Sequence, residues 1–97
     1  MTMETRLQAA LVNLSGLGAV VRFDMGDDGI YTIDARAAQP VLSTDSDATA
    51  DCTIRISTEN LNKLIDGQLD PMLAYTFGKI KVSGSLGIAM KLVNALG

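Results

Sequence analysis

Hydrophobic and polar positions along the chain change period several times, and each change marks an element. Leu7, Ala10, Leu11 and Leu14 recur at helical spacing behind Thr5 and Gln8, a capping-box pattern with Thr2 as an earlier alternative start, and Gly16 and Gly18 end that helix. Ala19, Val21, Phe23 and Met25 then alternate with Val20, Arg22 and Asp24. Gly26-Asp27-Asp28-Gly29 supplies a turn, and Tyr31, Ile33 and Ala35 resume the alternation, which predicts an antiparallel hairpin. Between Ala37 and Ala50 only Val41-Leu42, behind Pro40, reads as a short strand, and Ser43 to Ala50 reads as a polar loop. Cys52, Ile54 and Ile56 alternate with Asp51, Thr53 and Arg55, giving a strand with one wet face.

Two short helices come next. Ser57 and Thr58 compete to cap the first, whose apolar side is Leu61, Leu64 and Ile65 and whose end is Gly67. Asp70-Pro71 opens the second, which runs through Met72, Leu73, Ala74 and Phe77 to Gly78. A basic strand, Gly78 to Ser83, then turns through Gly84-Ser85 into a helix from Leu86 to Leu96 in which only Lys91 and Asn94 are plainly hydrophilic. Leu86, Ala89, Met90 and Val93 form one apolar row of that helix, and Ile88, Leu92 and Leu96 form another. One row can pack on a sheet; the other needs more core, a partner protein or an apolar ligand. The element order predicts an α+β fold, an antiparallel-rich sheet with its apolar face covered by helices, in one domain over residues 1–97.

Composition narrows the chemistry. Hydrophobic residues are 47% of the chain but aromatics only 4%, with no Trp, so the interior is built from Leu, Ile, Val, Ala and five Met. Met suits an adaptable apolar surface, although for any single Met the plainer reading is a filler of core gaps. A net charge of −3 argues against nucleic acid, which needs a surplus of Lys and Arg; Lys79, Lys81 and Lys91 are a local exception. No apolar run approaches the roughly 18 to 20 residues that span a bilayer, and the first twenty residues carry Glu4 and Arg6 without a signal-peptide core, so a cytosolic chain with no stable membrane insertion is expected. The single Cys52 fits a reducing compartment, and the terminal Asn94-Ala95-Leu96-Gly97 is no peroxisomal address.

Catalytic and metal motifs fail one by one. The chain has no His, so neither a Ser-His nor a Cys-His pair can form, and Cys52, in phase with Ile54 and Ile56, reads as a small buried hydrophobe and not a nucleophile. Asp45, Asp47, Thr49 and Asp51 mimic the start of a calcium loop, but Ala50 stands where Gly is required and Ile56 where the bidentate Glu belongs. Gly16-Leu17-Gly18 follows a helix and opens a strand, the reverse of a dinucleotide-binding turn. No catalytic residue, metal or cofactor is expected. Gly84-Ser85-Leu86-Gly87 differs, because a Gly-rich turn at a helix start offers backbone N–H groups to an anion, with Lys79 and Lys81 beside it; the alternative is a turn that needs Gly for positive φ, edged by solvated lysines. A Gly-x-x-Gly RNA clamp lies between two helices, unlike this one.

Three segments together, Asp51 to Asn60, Leu64 to Met72 and Tyr75 to Leu92, resemble the sterol carrier protein 2 family, above all in the run Gly78-Lys-Ile-Lys-Val-Ser-Gly-Ser-Leu-Gly-Ile-Ala-Met-Lys-Leu92. The likeness is closest from Asp51 to Leu96 and weaker, in the right order, from the N-terminal helix through the first hairpin. It implies a twisted, mostly antiparallel sheet of about five strands with helices over one face, enclosing an apolar tunnel for fatty acids, acyl-CoA, sterols or other lipids, in a domain that binds and transfers without chemistry. On the matched segments the inward positions are Leu64, Ile65, Met72, Phe77, Ile80, Val82, Leu86, Met90 and Val93, expected to line the tunnel, with Lys81, Gly84 and Gly87 as a head-group site. Each lining position has plain core as its alternative.

The chain stops one residue after the last helix, without the tail and peroxisomal signal of the eukaryotic pattern, so a short bacterial-type member is expected. An apolar row with no tail over it could be covered by a second copy, a homodimer, or by a partner enzyme. The expected function is therefore intracellular binding and transfer of a fatty acid or fatty acyl-CoA. The alternatives are an apolar groove that dimerises or binds a partner, and an accessory protein that presents a quinone or isoprenoid intermediate to an enzyme.

Overall fold

In the computed structural model, which describes residues 2–44 and 49–96, the first helix α1 (Met3–Ala10) starts one turn before the Thr5-Gln8 pattern. Thr2 is the cap, its hydroxyl accepting the Thr5 N–H, because that start lets the whole Leu7 to Leu14 stripe reach the core. The helix tightens into a 3-10 turn over Leu11–Leu14, and Leu7, Ala10, Leu11 and Leu14 are all buried. Arg6 ties α1 to the next helix, donating to Asn62 Oδ1 at 2.9 Å and pairing with Asp66.

The strands are β1 (Val20–Asp24), β2 (Ile30–Asp34), β3 (Val41–Ser43), β4 (Cys52–Arg55) and β5 (Lys81–Gly84), in the spatial order β3-β2-β1-β4-β5. The β1–β2 hairpin turns through Gly26 to Gly29 as expected, with Val21 opposite Ile33. β4 joins the free edge of β1 in parallel, Val21 beside Cys52, while β2–β3 and β4–β5 are antiparallel, so the sheet is mixed but mostly antiparallel. Asp45 and Asp47 of the calcium-like pattern lie outside the described residues, as does half of the expected polar loop.

Period-two alternation sends Val21, Phe23, Ile33, Cys52 and Ile54 to one face of the sheet, where all are at most 1% exposed, and Arg22, Asp24, Thr53 and Arg55 to the other. Helices α2 (Thr58–Ile65), α3 (Pro71–Thr76) and α4 (Leu86–Leu96) complete the cover with α1. Ser57 wins the competition to cap α2, accepting the Asn60 N–H, and Gly67 ends it at φ +74°. Asp51 joins three elements. Its carboxylate accepts the Val20 N–H at 2.8 Å, its own N–H reaches Val20 O, and its carbonyl accepts the Ser85 N–H at 3.0 Å, fixing the turn from β5 into α4.

Candidate functional site

Neither apolar row of α4 packs intact. The buried stripe is Ala89, Leu92, Val93 and Leu96, which takes members of both rows because a helix on a sheet buries one arc centred between them. Leu86 and Met90 are left on one flank of that arc, Ile88 and Ala95 on the other. This division decides where each expected lining residue lies.

The nine residues fall into three groups. Leu64, Ile80 and Val93 are at most 1% exposed and belong to the continuous core. A side chain with almost no accessible surface borders no void large enough for water, so in this conformation the three are packed in protein. Ile65, Val82 and Met90 are half-buried against that core. Met72, Phe77 and Leu86 face outward, at 59%, 72% and 43% exposure. The nine thus range from core to surface and do not form one ring.

The outward group arises from the shape of α3. Asp70 Oδ1 accepts the N–H groups of Met72 and Leu73, Pro71 occupies the first turn, and the Ala74 carbonyl accepts from Lys79 and Ile80 to close the far end. Ala74 is the one fully buried residue of α3, and the helix packs on α4. Large apolar residues at 72, 73, 75 and 77 point in too many directions for one helical stripe, so Leu73 and Tyr75 are exposed as well, at 52% and 39%. Sequence reasoning placed Leu73 on the helix without assigning it to the site, and it passed over Tyr75. The signal was there in the absence of a common face.

Of the expected head-group residues, Gly84 and Gly87 are exposed at the β5–α4 turn, whereas exposed Lys81 lies at the other end of β5, opposite Arg55. Gly84 has φ +91°, which confirms the conformational need for Gly there. Gly87 has no such constraint. Ser85 uses its N–H on Asp51 and its Oγ to accept the Ile88 N–H, so the turn satisfies part of its own hydrogen-bonding capacity. Nearby, Arg55, Lys79 and Lys81 border a depression of about 430 Å³ that also includes Ser57, Asn60 and Asp24, with Arg55 at 3.8 Å from the Asp24 carboxylate.

Titratable groups elsewhere carry no catalytic pattern. Burial, with the Asp51 charge beside it, pushes the Cys52 thiol up to about 11, which keeps it protonated and unreactive near neutrality. Hydrogen bonds from the Arg36 side chain and backbone hold exposed Asp34 down at about 2. Among the described residues no group of three His, Cys, Asp or Glu could hold a metal ion, and no helix is long and apolar enough to cross a membrane.

Comparison with known proteins agrees with this geometry. The model of the SCP-2 sterol transfer family matches residues 2–97. Sterol carrier protein 2 of Gallus gallus is 36% identical over 69 residues, 71% of this chain but only 13% of that protein. Non-specific lipid-transfer protein-like 1 of Caenorhabditis elegans is 33% identical over 70 residues, 69% of this chain and 59% of the relative. The solution structure of the sterol carrier protein domain 2 of Helicoverpa armigera superimposes with a TM-score of 0.70 at 29% identity, covering 87% of this chain and 70% of that one.

Proposed function

The chain belongs to the SCP-2 sterol transfer family, and from that premise we propose that it is a non-catalytic carrier whose cargo is a fatty acid or fatty acyl-CoA. The observation that carries the reading is the gradient from Val93 and Ile80 in the core, through Met90 and Val82, to Phe77 and Met72 on the surface. In this reading these residues line one apolar path with α3 at its outer end. In this proposal α3 is the lid. It is held through Ala74 and by the hydrogen bonds at its ends, and its displacement opens the packed region to an acyl chain.

The energetics suit a weakly closed site. A chain of about a dozen methylenes contributes on the order of 10 kcal/mol gross at roughly 0.8 kcal/mol each, from which opening the lid and ordering the chain are subtracted. The proposed lining is Leu64, Ile65, Met72, Phe77, Ile80, Val82, Leu86, Met90 and Val93, with Lys81 and the Gly84 to Gly87 turn toward the head group. No polar constellation is required, in keeping with a sequence that has no His.

The test is displacement of a fluorescent fatty acid from the purified protein. Met90→Asp and Phe77→Asp weaken binding while the far-ultraviolet circular dichroism spectrum stays native. Absence of saturable binding to every lipid class rejects the proposal. Native mass spectrometry of protein taken from its source reads the cargo directly: a retained acyl chain supports this assignment, and a retained quinone or isoprenoid favours the accessory role instead.

A further inference from the structure

One end of the sheet gathers like charges. In the register of β1, β4 and β5, Asp24 lies beside Arg55 and Arg55 beside Lys81, so the three form a row across neighbouring strands on the face away from the helices. Arg55 and Lys81 are directly opposed cations, a pairing that costs a sheet stability. Asp24 offsets little of that cost: its Oδ1 accepts the Gly26 N–H at 2.9 Å, and its Oδ2 stays 3.8 Å from Arg55. Lys79, on the connection from α3 to β5, adds a third cation to the same depression of about 430 Å³. Among the described residues neither Lys79 nor Lys81 has a carboxylate within ion-pair distance, whereas Arg6, Arg36, Arg55 and Lys63 do.

Three tied-down segments form the walls of that depression. At the end of β1 the Met25 N–H reaches Gly29 O at 2.9 Å, and the Ile56 N–H, where β4 runs on toward α2, donates to Asp24 O at 3.1 Å. Thr58 Oγ1 donates to the Asp28 carboxylate at 2.8 Å, which pins the hairpin turn to the start of α2 and occupies that second acid. The third wall, Gly78 to Lys81, is held by the Lys79 N–H on Ala74 O at 2.8 Å. Half-buried Asn60 is in the lining, and its side-chain amide has no hydrogen-bond partner among the described residues. β1 and β4 are the parallel pair of the sheet, and the depression lies beyond their carboxyl ends, where parallel sheets characteristically hold ligands.

We propose that this depression binds the diphosphate group of a small molecule. Phosphate oxygens placed between Arg55, Lys79 and Lys81 turn the repulsion of these cations into attraction. The guanidinium fork matches phosphate geometry, the ammonium groups act as point charges, and Asn60 supplies a neutral donor. The charges also balance: three cations and Asp24 leave the lining at +2, which the two charges of a diphosphate diester cancel and a single carboxylate does not. Of the lining only Lys81 also belongs to the proposed cargo site. The claim therefore goes beyond the carrier reading and does not depend on it.

The experiment is isothermal titration calorimetry of the ligand-free chain with inorganic pyrophosphate, coenzyme A and laurate, at low and high salt. Saturable one-to-one binding of pyrophosphate is expected, weakened as salt screens the cations, with coenzyme A competing for it. Arg55→Gln and Lys79→Gln each weaken pyrophosphate binding about tenfold, the order of one charge-assisted hydrogen bond, and leave laurate binding at the parent level. Lys91→Gln, which removes a cation outside the depression, changes neither. Circular dichroism and an unchanged unfolding midpoint confirm that each variant is folded. Coenzyme A binding more tightly than pyrophosphate supports the site with a nucleotide ester as its ligand, and the reverse order supports it with the free anion. No saturable binding of either, or an equal loss in Lys91→Gln, overturns the proposal. Absence of laurate binding to the parent chain counts against the carrier reading alone.

Discussion

Replacing Gly84 by Ala tests how α4 is set over the sheet. Gly84 sits at φ +91°, where an L side chain costs about 1–2 kcal/mol. A Cβ placed there lies 2.4 Å from the Asp51 carbonyl oxygen and 3.0 Å from Cys52 Cα. Both are backbone atoms of the neighbouring strand, and that carbonyl also receives the Ser85 N–H. The clash cannot be relieved by a rotamer change. Moving the strand adds about 1–3 kcal/mol, as other overpacked sites do. The expected total is about 3 kcal/mol, which for a domain of this size lowers Tm by roughly 12–24 °C. Gly87, three residues on, is the control. A Cβ there meets nothing nearer than Ser85 Oγ at 4.0 Å, and Gly→Ala within a helix gains about 0.5–1 kcal/mol. Thermal and urea unfolding followed by circular dichroism measures both. A Gly84→Ala variant within about 1 kcal/mol of the parent, or a Gly87→Ala variant equally damaged, would refute the geometry of this turn.

Further outcomes follow from burial and hydrogen bonding. Leu64→Ala, in the closed core, costs about 2–5 kcal/mol in urea unfolding, whereas Phe77→Ala, at 72% exposure, changes stability by no more than about 0.5 kcal/mol; comparable losses would contradict the assignment of Phe77 to the surface. Asp70→Ala removes the acceptor for two N–H groups at the start of α3, costing about 1 kcal/mol, and in stopped flow it speeds fatty-acid uptake if α3 is the lid. Because Cys52 is raised to about 11 in the fold, the native state keeps a proton that the unfolded chain loses near 9. Stability therefore falls as pH rises from about 9 to 11, by an amount on the order of 2 kcal/mol, and a Cys52→Ala variant lacks that portion of the slope.

Local elements were the most legible part of the sequence. Period-two alternation placed Val21, Phe23, Ile33 and Ile54 on the buried face, the Asp70-Pro71 pair located the start of α3, and the limits of α4 at Leu86 and Leu96 were read correctly. Strand order was not legible, because nothing local in Cys52 to Arg55 distinguishes a parallel partner in β1 from an antiparallel one elsewhere. The strand before α4 begins at Lys81 and not at Gly78, since the Ala74 carbonyl captures the Lys79 and Ile80 N–H groups to close α3.

The site was legible as composition and not as geometry. The excess of apolar surface on α4 was visible, but which members of its two rows turn inward depended on where α3 and the sheet meet it. Leu86 lies outside and Leu92 inside although each belonged to a regular apolar row. The exposed face of α3 was missed because Met72 and Phe77 were read as inward lining and Leu73 and Tyr75 were left unassigned, whereas tertiary packing encloses only Ala74.

The central claim is that an acyl chain enters beneath α3 and reaches side chains that are closed off in the ligand-free molecule. A methyl-resolved NMR titration with a long-chain fatty acid tests it. The account predicts saturable one-to-one binding with intermolecular contacts from the chain to the methyl groups of Ile80, Val82, Met90 and Val93. Contacts confined to Met72 and Leu73 with no saturation, or no contacts at all, would contradict it.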